Sequence, residues 1–435
     1  MTQERIYDVI VVGGGAAGLF YSAVLDEKVN GLILEKTKAV GKKLLMSGAG
    51  QCNITHGGSI KDFLGHYGDK GKKIRTALYK FNNESVRAFF ESNGISLFER
   101  EDGKVFPKSL DAKEVLDTLK RSSEKNGFAV KFQCSVEKIE YDGQAYTLFF
   151  SAGGSQESSV PYRAKKVVIA TGGCSYPTTG SDGKMFDVLK EMSLDIVPPK
   201  PALVPVSVQN YPYTELSGIS FPKVKISVYG TLGKDVGISG ESTGFLKKIA
   251  ENIDDLLLTH TNFSGPAILN ISRAIMTGNN ININYLPEKR QEDILSEIKK
   301  GVAGNAKQAI TFFMEYIQTI GAKRQLPKRF VELLCQRAGI LQTQKASSLT
   351  GDQIKKMVNF LTNDTFSVSG TGGFQVAMAT AGGVALEEVD LKTMESKKYP
   401  GLYIIGEALD VDGDTGGYNL QWAFSSAYGA GDRVE

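Results

Sequence analysis

Residues 8–35 read DVIVVGGGAAGLFYSAVLDEKVNGLILE, from Asp8 to Glu35. Ile10, Val11 and Val12 form a short apolar run, the pattern of a buried strand. Gly13, Gly14 and Gly15 follow, then Ala16, Ala17 and Gly18, and a helical pattern continues through Leu19, Ala23 and Leu25. A second apolar run, Leu32-Ile33-Leu34, ends on Glu35. The order is strand, glycine turn, helix, strand, acid.

Each part has a task in holding a dinucleotide. Gly13 permits the tight turn out of the strand. Gly15 lets a pyrophosphate approach the backbone, and Gly18 lets the helix pack close to the sheet. The pyrophosphate then meets unpaired N–H groups at the positive end of the helix. Glu35 falls where a carboxylate accepts from both ribose hydroxyls. A 2′-phosphate there would meet like charge, so this site is not expected to prefer NADP.

With 435 residues the chain is long enough for two or three domains and a large core. Charged residues make up 23% and the net charge is +3, which gives no case for nucleic acid or membrane binding. The mildly basic patch Lys70 to Arg75 reads as a solvated surface. No apolar run approaches the roughly 18 residues of a membrane span. The expectation is a soluble, cytoplasmic protein. Cys52, Cys134, Cys174 and Cys335 form no CxxC pair, which argues against a disulfide framework. His56, His66 and His260 are scattered, so neither a metal centre nor a Ser/His/Asp triad is expected.

Beyond Glu35, the loop KTKAVGKKLLMSGAGQCNITH offers donors at Ser47, Gly48, Gln51 and Asn53. Gly71 to Gly94 is helical in pattern and Gly103 to Pro107 reads as a short strand. Asp111, with Glu114 three residues on, marks a capping box. Ala129–Cys134, Val136–Tyr141 and Tyr146–Phe150 alternate as strands. Lys166 to Gly173, KVVIATGG, is an apolar strand that runs into Ala170, Thr171, Gly172 and Gly173, where a large ligand can lie on the backbone. The composition changes at Pro198-Pro199-Lys200-Pro201, and alternating strands follow. Ser264 with Pro266 reads as the capped start of a helix. Gln291 to Leu361 is mostly helical.

GLYIIGEALDVDGDTGGYNLQWAFSSAYGAG, Gly401 to Gly431, closes the pattern. One βαβ unit holds only the ADP half of FAD, so the rest must be held from elsewhere. Gly406-Glu407 has the form of a second strand-end site, its carboxylate placed for ribityl hydroxyls. A helix starting near Tyr418, after Gly416-Gly417, offers free N–H groups to the negative charge of a reduced flavin. Tyr176 and Tyr418 lie in segments within reach of a flavin.

These motifs together resemble the HI0933-like flavoproteins, NAD(P)/FAD-dependent oxidoreductases that include aminoacetone oxidase and a bacterial bile-acid 3-dehydro Δ-reductase. The resemblance rests on GGGAAG, KKLLMSGAGQCNITH, ATGGCSYPTTGSDG, THTNFSGPAILNISR and the closing motif, and covers nearly the whole chain. It implies an α/β fold, a two-part Rossmann-like FAD-binding domain interrupted by a β-barrel-like domain with a helical insert. The parts would be residues 1–192 and 366–435, with 193–365 inserted. By motif match, FAD contacts fall on Gly13, Gly14, Gly15, Ala16, Ala17 and Gly18. Glu35, Lys36, Lys43, Ser47, Gly48, Cys52 and Asn53 follow. Val136 would contact adenine through its backbone, and Ala170, Thr171, Gly172 and Gly173 add a further segment. Gly406, Glu407, Gly417, Asn419, Leu420 and Gln421 complete the set. Two departures stand out: Gln51 replaces the family's arginine, and Ser193-Leu194 align with its Gly-His.

The reading is an FAD-dependent oxidoreductase, the flavin held without a covalent link, that moves a hydride between flavin and a small organic substrate. NADH or NADPH would serve as a transient co-substrate. The alternatives are an O2-using amine oxidase and a non-catalytic flavin-binding sensor or scaffold. No catalytic acid or base is assigned. No second strand–GxGxxG–helix unit is present, so a nicotinamide donor would share the substrate's cleft and turnover would be ping-pong.

Overall fold

β1 (Ile6–Val12), α1 (Ala16–Ala23) and β2 (Gly31–Leu34) form the expected unit, and Glu35 follows β2 directly. They belong to a computed structural model that describes residues 6–25, 29–152, 160–231, 246–320 and 326–431. β1 is parallel to β2, from Val9↔Gly31 to Val12↔Leu34. On its other side it is parallel to the strand Tyr162–Ile169, from Ile6↔Arg163 to Val12↔Ile169. A strand paired on both edges and covered on both faces is apolar throughout rather than alternating, and Val9, Ile10 and Val11 are fully buried.

Among the described residues this sheet has nine strands. Leu402–Ile404, Tyr162–Ile169, β1, β2 and Phe128–Lys131 lie side by side, all parallel. The chain passes from β1 outward through β2 and then returns to the opposite side of β1. That reversal makes the carboxyl end of β1 a topological switch point, where ligands bind in open α/β sheets. The glycine turn, Glu35, the Ala170 loop and Gly406 all leave carboxyl ends of these strands.

Two compact units divide the chain: Met1–Ala202 with Gly373–Glu435, and Leu203–Gly372. In the first, Phe20 of α1 packs on Phe81, Phe89 and Phe424 with ring centroids 5.4, 4.7 and 4.6 Å apart. This fixes the closing helix Tyr418–Gly431 against α1. The proline run is part of a strand. It lies in the strand Ile196–Ala202, antiparallel to Ala379–Val384, and the register breaks between Val197 and Lys200. Proline donates no hydrogen bond, so a bulge is where a strand tolerates it.

In the second unit six strands close a barrel: Val206–Val208, Asn262–Ser264, Leu246–Leu258, Ser220–Thr231, Asn280–Asn284 and Asp364–Thr371. The helices Gln291–Val302, Ala309–Ile320, Lys328–Arg337 and Gly351–Thr362 are inserted before its last strand. Arg337 ties them to the barrel. Its Nη1 and Nη2 donate to the two oxygens of buried Asp364 at 3.0 and 2.8 Å, and its guanidinium lies 4.2 Å from the Phe360 ring centroid.

Two local expectations fail. Ser264 ends a strand, and the helix after it, Pro266–Leu269, is only four residues with Gly265 at its start and no side-chain cap. Pairing with Leu257 took Ser264 into the barrel. At the second, Asp111 does cap Lys113 N, at 2.8 Å. Glu114, however, accepts from Ser109 Oγ instead of completing a capping box. No helix among the described residues is long and apolar enough to cross a membrane.

Candidate functional site: a cradle at the carboxyl ends of the parallel strands

The glycines of the first turn differ in what their missing side chains permit. Gly13 has φ +105°, and a Cβ there would lie 2.5 Å from Ala170 O. At Gly18 a Cβ would lie 2.1 Å from Gly13 O, so helix and turn pack without space for one. At Gly15 nothing lies within 4 Å. That opening sits at the start of α1, whose first N–H groups have no partner within the helix. Ala16 is half-buried and Ala17 buried behind it.

Glu35 is 8% exposed. Its Oε2 accepts from Gly14 N at 3.0 Å and its Oε1 from Thr37 N at 2.7 Å. Cys134 N donates to Glu35 O at 3.0 Å, which brings the strand Cys134–Tyr141, with Val136, beside the acid. Lys36 pairs with Asp182.

α2 (Lys42–Met46) carries Lys43 into a polar cluster. Lys43 Nζ pairs with Glu407 and donates to Ser175 Oγ at 2.9 Å and Ser181 Oγ at 3.3 Å. Glu407 Oε1 accepts from Ser175 Oγ at 2.6 Å and Thr380 N at 2.8 Å. Thr380 Oγ1 accepts from Cys174 N and Ser175 N at 2.8 and 3.1 Å. Both Glu407 oxygens are thus engaged, and four segments distant in sequence are tied together. Asp182, Ser175, Ser181 and Thr380 were not singled out from sequence. The first three lie inside the quoted ATGGCSYPTTGSDG motif, but Thr380 carries no signal of its own.

After α2 the backbone turns through left-handed conformations at Gly48, Ala49 and Cys52, with φ of 57°, 57° and 58°. Ser47 O accepts from Cys52 N at 2.9 Å, closing the loop. Cys52 is fully buried, and burial pushes its thiol up to about 12. Asn53 is 9% exposed, and its Oδ1 is buried with no hydrogen-bond partner among the described residues. Thr171 Oγ1, in the loop after Tyr162–Ile169, is likewise buried and unpartnered. Gly172 beside it has φ +71°, and a Cβ there would lie 2.6 Å from Ser181 Oγ. Gly173 would collide with Thr380 Oγ1.

Gly406 is held from both sides. Its N–H donates to Ser426 Oγ at 2.9 Å and its carbonyl accepts from Trp422 Nε1 at 3.0 Å. Gly417, φ +103°, lies against the Thr55 backbone. Asn419 turns its amide onto Gly413 and Asp414. Gln421 is fully buried and bonds Thr55 Oγ1, Phe81 O and Ser425 Oγ at 2.6, 3.0 and 2.9 Å. Asn419 and Gln421 side chains therefore shape the helix start, where Gln421 N–H donates to Gly417 O at 2.9 Å and Leu420 is half-buried.

Two histidines are not scattered. His56 and His66 both stack on Tyr418, with ring centroids 5.2 and 4.0 Å away, and His66 Nδ1 lies 3.0 Å from Asp414 Oδ2. Tyr418 is buried, and Tyr176 sits at φ +50° with its N–H on Phe374 O. At the two departures, Gln51 is half-buried and Leu194 is 2% exposed in the apolar core.

A native chain rarely buries polar atoms without partners. Asn53 Oδ1 and Thr171 Oγ1, the open side of Gly15 and two helix starts together fit a large polar cofactor of the FAD type. The description "HI0933-like protein Rossmann domain" matches residues 7–433. The chain belongs to the HI0933-like family. It is an FAD-dependent oxidoreductase. One relative, a ribosomal RNA dihydrouridine synthase from Haemophilus influenzae, is 31% identical over 423 residues, 96% of each chain. Another of that name, from Escherichia coli, is 30% identical over 98% of this HI0933-like chain and 97% of its own. A 3-dehydro-bile acid delta(4,6)-reductase from Clostridium scindens is 28% identical over 97% of each chain.

Proposed function

We propose that this chain reduces a carbon–carbon double bond conjugated to a carbonyl, with a uracil ring of ribosomal RNA as substrate and NADH or NADPH as electron donor. The observation that carries the reading is the chemistry shared by the whole-length relatives' names. Dihydrouridine is uridine whose C5–C6 bond, conjugated to C4=O, has been reduced. The delta-4 bond of a 3-oxo bile acid is conjugated in the same sense. Both reductions add hydride to the carbon β to the carbonyl and a proton to the α carbon. The two relatives named for ribosomal RNA are 31% and 30% identical, against 28% for the bile-acid reductase, which favours uracil.

FAD, when bound, supplies the hydride. The chain's part is to hold and surround it. The Gly13–Gly18 turn and the start of α1 would take the pyrophosphate, and Glu35 the adenosine ribose, with Val136 beside it. Asn53 Oδ1 and Thr171 Oγ1 would find their missing partners on the cofactor. N–H groups at the start of the closing helix would stabilise negative charge on it. Lys43 and Glu407, locked to each other, hold the surrounding segments in place.

The test is anaerobic. Purified protein reduced by NADH or NADPH is mixed with unmodified ribosomal RNA, free uridine or a 3-oxo-Δ4 steroid, and the flavin absorbance is followed. Reoxidation by ribosomal RNA, with dihydrouridine in its nuclease digest, is expected. Reoxidation by the steroid alone would move the substrate to small enones. Reoxidation only on admitting O2 would overturn the reductase reading.

A further inference from the structure

Reduction of a conjugated double bond needs a proton as well as a hydride. Hydride goes to the β carbon, and the enolate that results takes a proton at the α carbon, which is C5 in uracil. A positioned side chain can supply that proton. The chain has three histidines, and their surroundings separate them. His56 is closed at both ends: its Nδ1 lies 2.9 Å from Gly57 O and its Nε2 3.1 Å from Asp102 O. His260, in the barrel unit, is exposed and has no carboxylate partner among the described residues. His66 differs from both. Its Nδ1 lies 3.0 Å from Asp414 Oδ2, and its Nε2 makes no hydrogen bond among the described residues.

An ionised carboxylate only accepts, so the hydrogen sits on Nδ1 and a proton comes and goes at Nε2. The imidazole is 40% exposed and its acid 20%, so the orienting group is the more covered of the two. The pair is held firmly. Asp414 N donates to His66 O at 2.9 Å, a second bond between the same residues. The His66 ring lies on Tyr418, with centroids 4.0 Å apart and planes 15° from parallel. Tyr67, next in the chain, donates from its hydroxyl to Tyr418 O at 2.8 Å. Asn419 clamps Gly413, accepting from its N–H and donating to its carbonyl, each at 2.9 Å. Tyr418 is the first residue of the closing helix. The dyad therefore stands beside the helix start assigned above to the flavin.

We propose that His66 is the acid that protonates the α carbon, with Asp414 as the positioning residue that fixes its ring. The inference rests on the double-bond reduction proposed above and holds for uracil or a small enone alike. The substrate's π bond breaks and two C–H bonds form. Hydride brings both electrons to the β carbon. His66 Nε2–H brings the proton to the α carbon, leaving a neutral ring that regains a proton from water. Asp414 keeps Nδ1–H in place through both states and favours the charged one.

The test uses the full-length FAD-loaded protein with the variants H66Q and D414N. Each is reduced anaerobically by NADH or NADPH and mixed with ribosomal RNA or a 3-oxo-Δ4 steroid. Both variants should still bind FAD and accept hydride from the nicotinamide. Reoxidation by whichever acceptor serves wild type should slow about a hundredfold or more in H66Q, the usual contribution of a general acid, and less in D414N. Imidazole added to H66A should restore part of the rate, which lost packing alone would not allow. A second readout needs no turnover. Nitrogen NMR of the apo-protein should find the neutral His66 ring hydrogenated on Nδ1, and D414N should lose that preference. A neutral wild-type ring hydrogenated on Nε2 would overturn the proposal. Reoxidation of H66Q at the wild-type rate, with dihydrouridine formed, would overturn the acid and leave the function standing. A wild type that reduces only the steroid, with H66Q slow on it, would support His66 and sink the uracil reading. Reoxidation of wild type by O2 alone would overturn both.

Discussion

Glu35 Oε2 accepts a hydrogen bond from the N–H of Gly14, 21 residues earlier, at 3.0 Å. The contact joins the end of β2 to the glycine turn after β1, so the acid is positioned before any ligand arrives. A preset carboxylate loses little freedom on binding, which is where affinity is gained.

Glu35→Ala should therefore weaken FAD binding more than it weakens the fold. Charge-assisted hydrogen bonds contribute on the order of 1.5–3 kcal/mol, so affinity should fall about tenfold or more. Titration of apo-protein with FAD measures it. Equal affinity for the variant and wild type would remove Glu35 from the cofactor site.

Gly15 and Gly18 make a sharper pair. A Cβ at Gly15 meets nothing within 4 Å, and its φ of −83° suits any residue. Gly15→Ala should leave apo-protein stability within about 0.5 kcal/mol of wild type and still impair FAD binding, because the methyl fills the approach of the pyrophosphate. At Gly18 a Cβ would lie 2.1 Å from Gly13 O, so Gly18→Ala should destabilise the apo-protein itself. Urea unfolding of both apo-variants, with FAD titration, separates the two effects. A Gly15→Ala protein that binds FAD normally would place the cofactor elsewhere.

The Lys43–Glu407 pair predicts a stability effect. Glu407→Ala strips partners from Lys43, Ser175 and the Thr380 N–H at once. A half-buried charge bound this way is worth roughly 1.5–3 kcal/mol. Glu407→Gln, which keeps an oxygen for Ser175 and Thr380, should recover part of the loss. Denaturant midpoints of the apo-proteins report it, and two variants indistinguishable from wild type would show the cluster to be idle.

Cys52 cannot act as a thiolate near neutral pH, since burial pushes its thiol up to about 12. Burial also raises the Cys174 thiol above its usual range, with Glu407 adding to the shift. Cys52→Ser and Cys174→Ser should each keep flavin reduction by nicotinamide. Loss of electron transfer with FAD still bound would reinstate a sulfur step.

What was legible in the sequence was local. The first turn, Glu35, the Ala170 loop and the closing helix are continuous motifs, and each emerges at the carboxyl end of a parallel strand. Lys43 and Glu407 were both named from motifs, yet their pairing was not, because 364 residues separate them. Thr380 was missed for the same reason: its role exists only once Ala379–Val384 pairs with the proline-bearing strand. Ser264 was misread because a serine two residues before a proline has the form of a helix cap, and barrel pairing overrode it. His56 and His66, apart in sequence, converge on Tyr418 at the start of the closing helix.

On the proposed function, reducing equivalents leave this enzyme for the C5–C6 bond of uracil in ribosomal RNA. The direct measurement is an anaerobic single turnover. Enzyme reduced with one equivalent of NADPH or NADH is mixed with excess unmodified ribosomal RNA, and flavin reoxidation and dihydrouridine are quantified together. One dihydrouridine should form for each flavin reoxidised. A flavin that stays reduced beside intact uridine would contradict it.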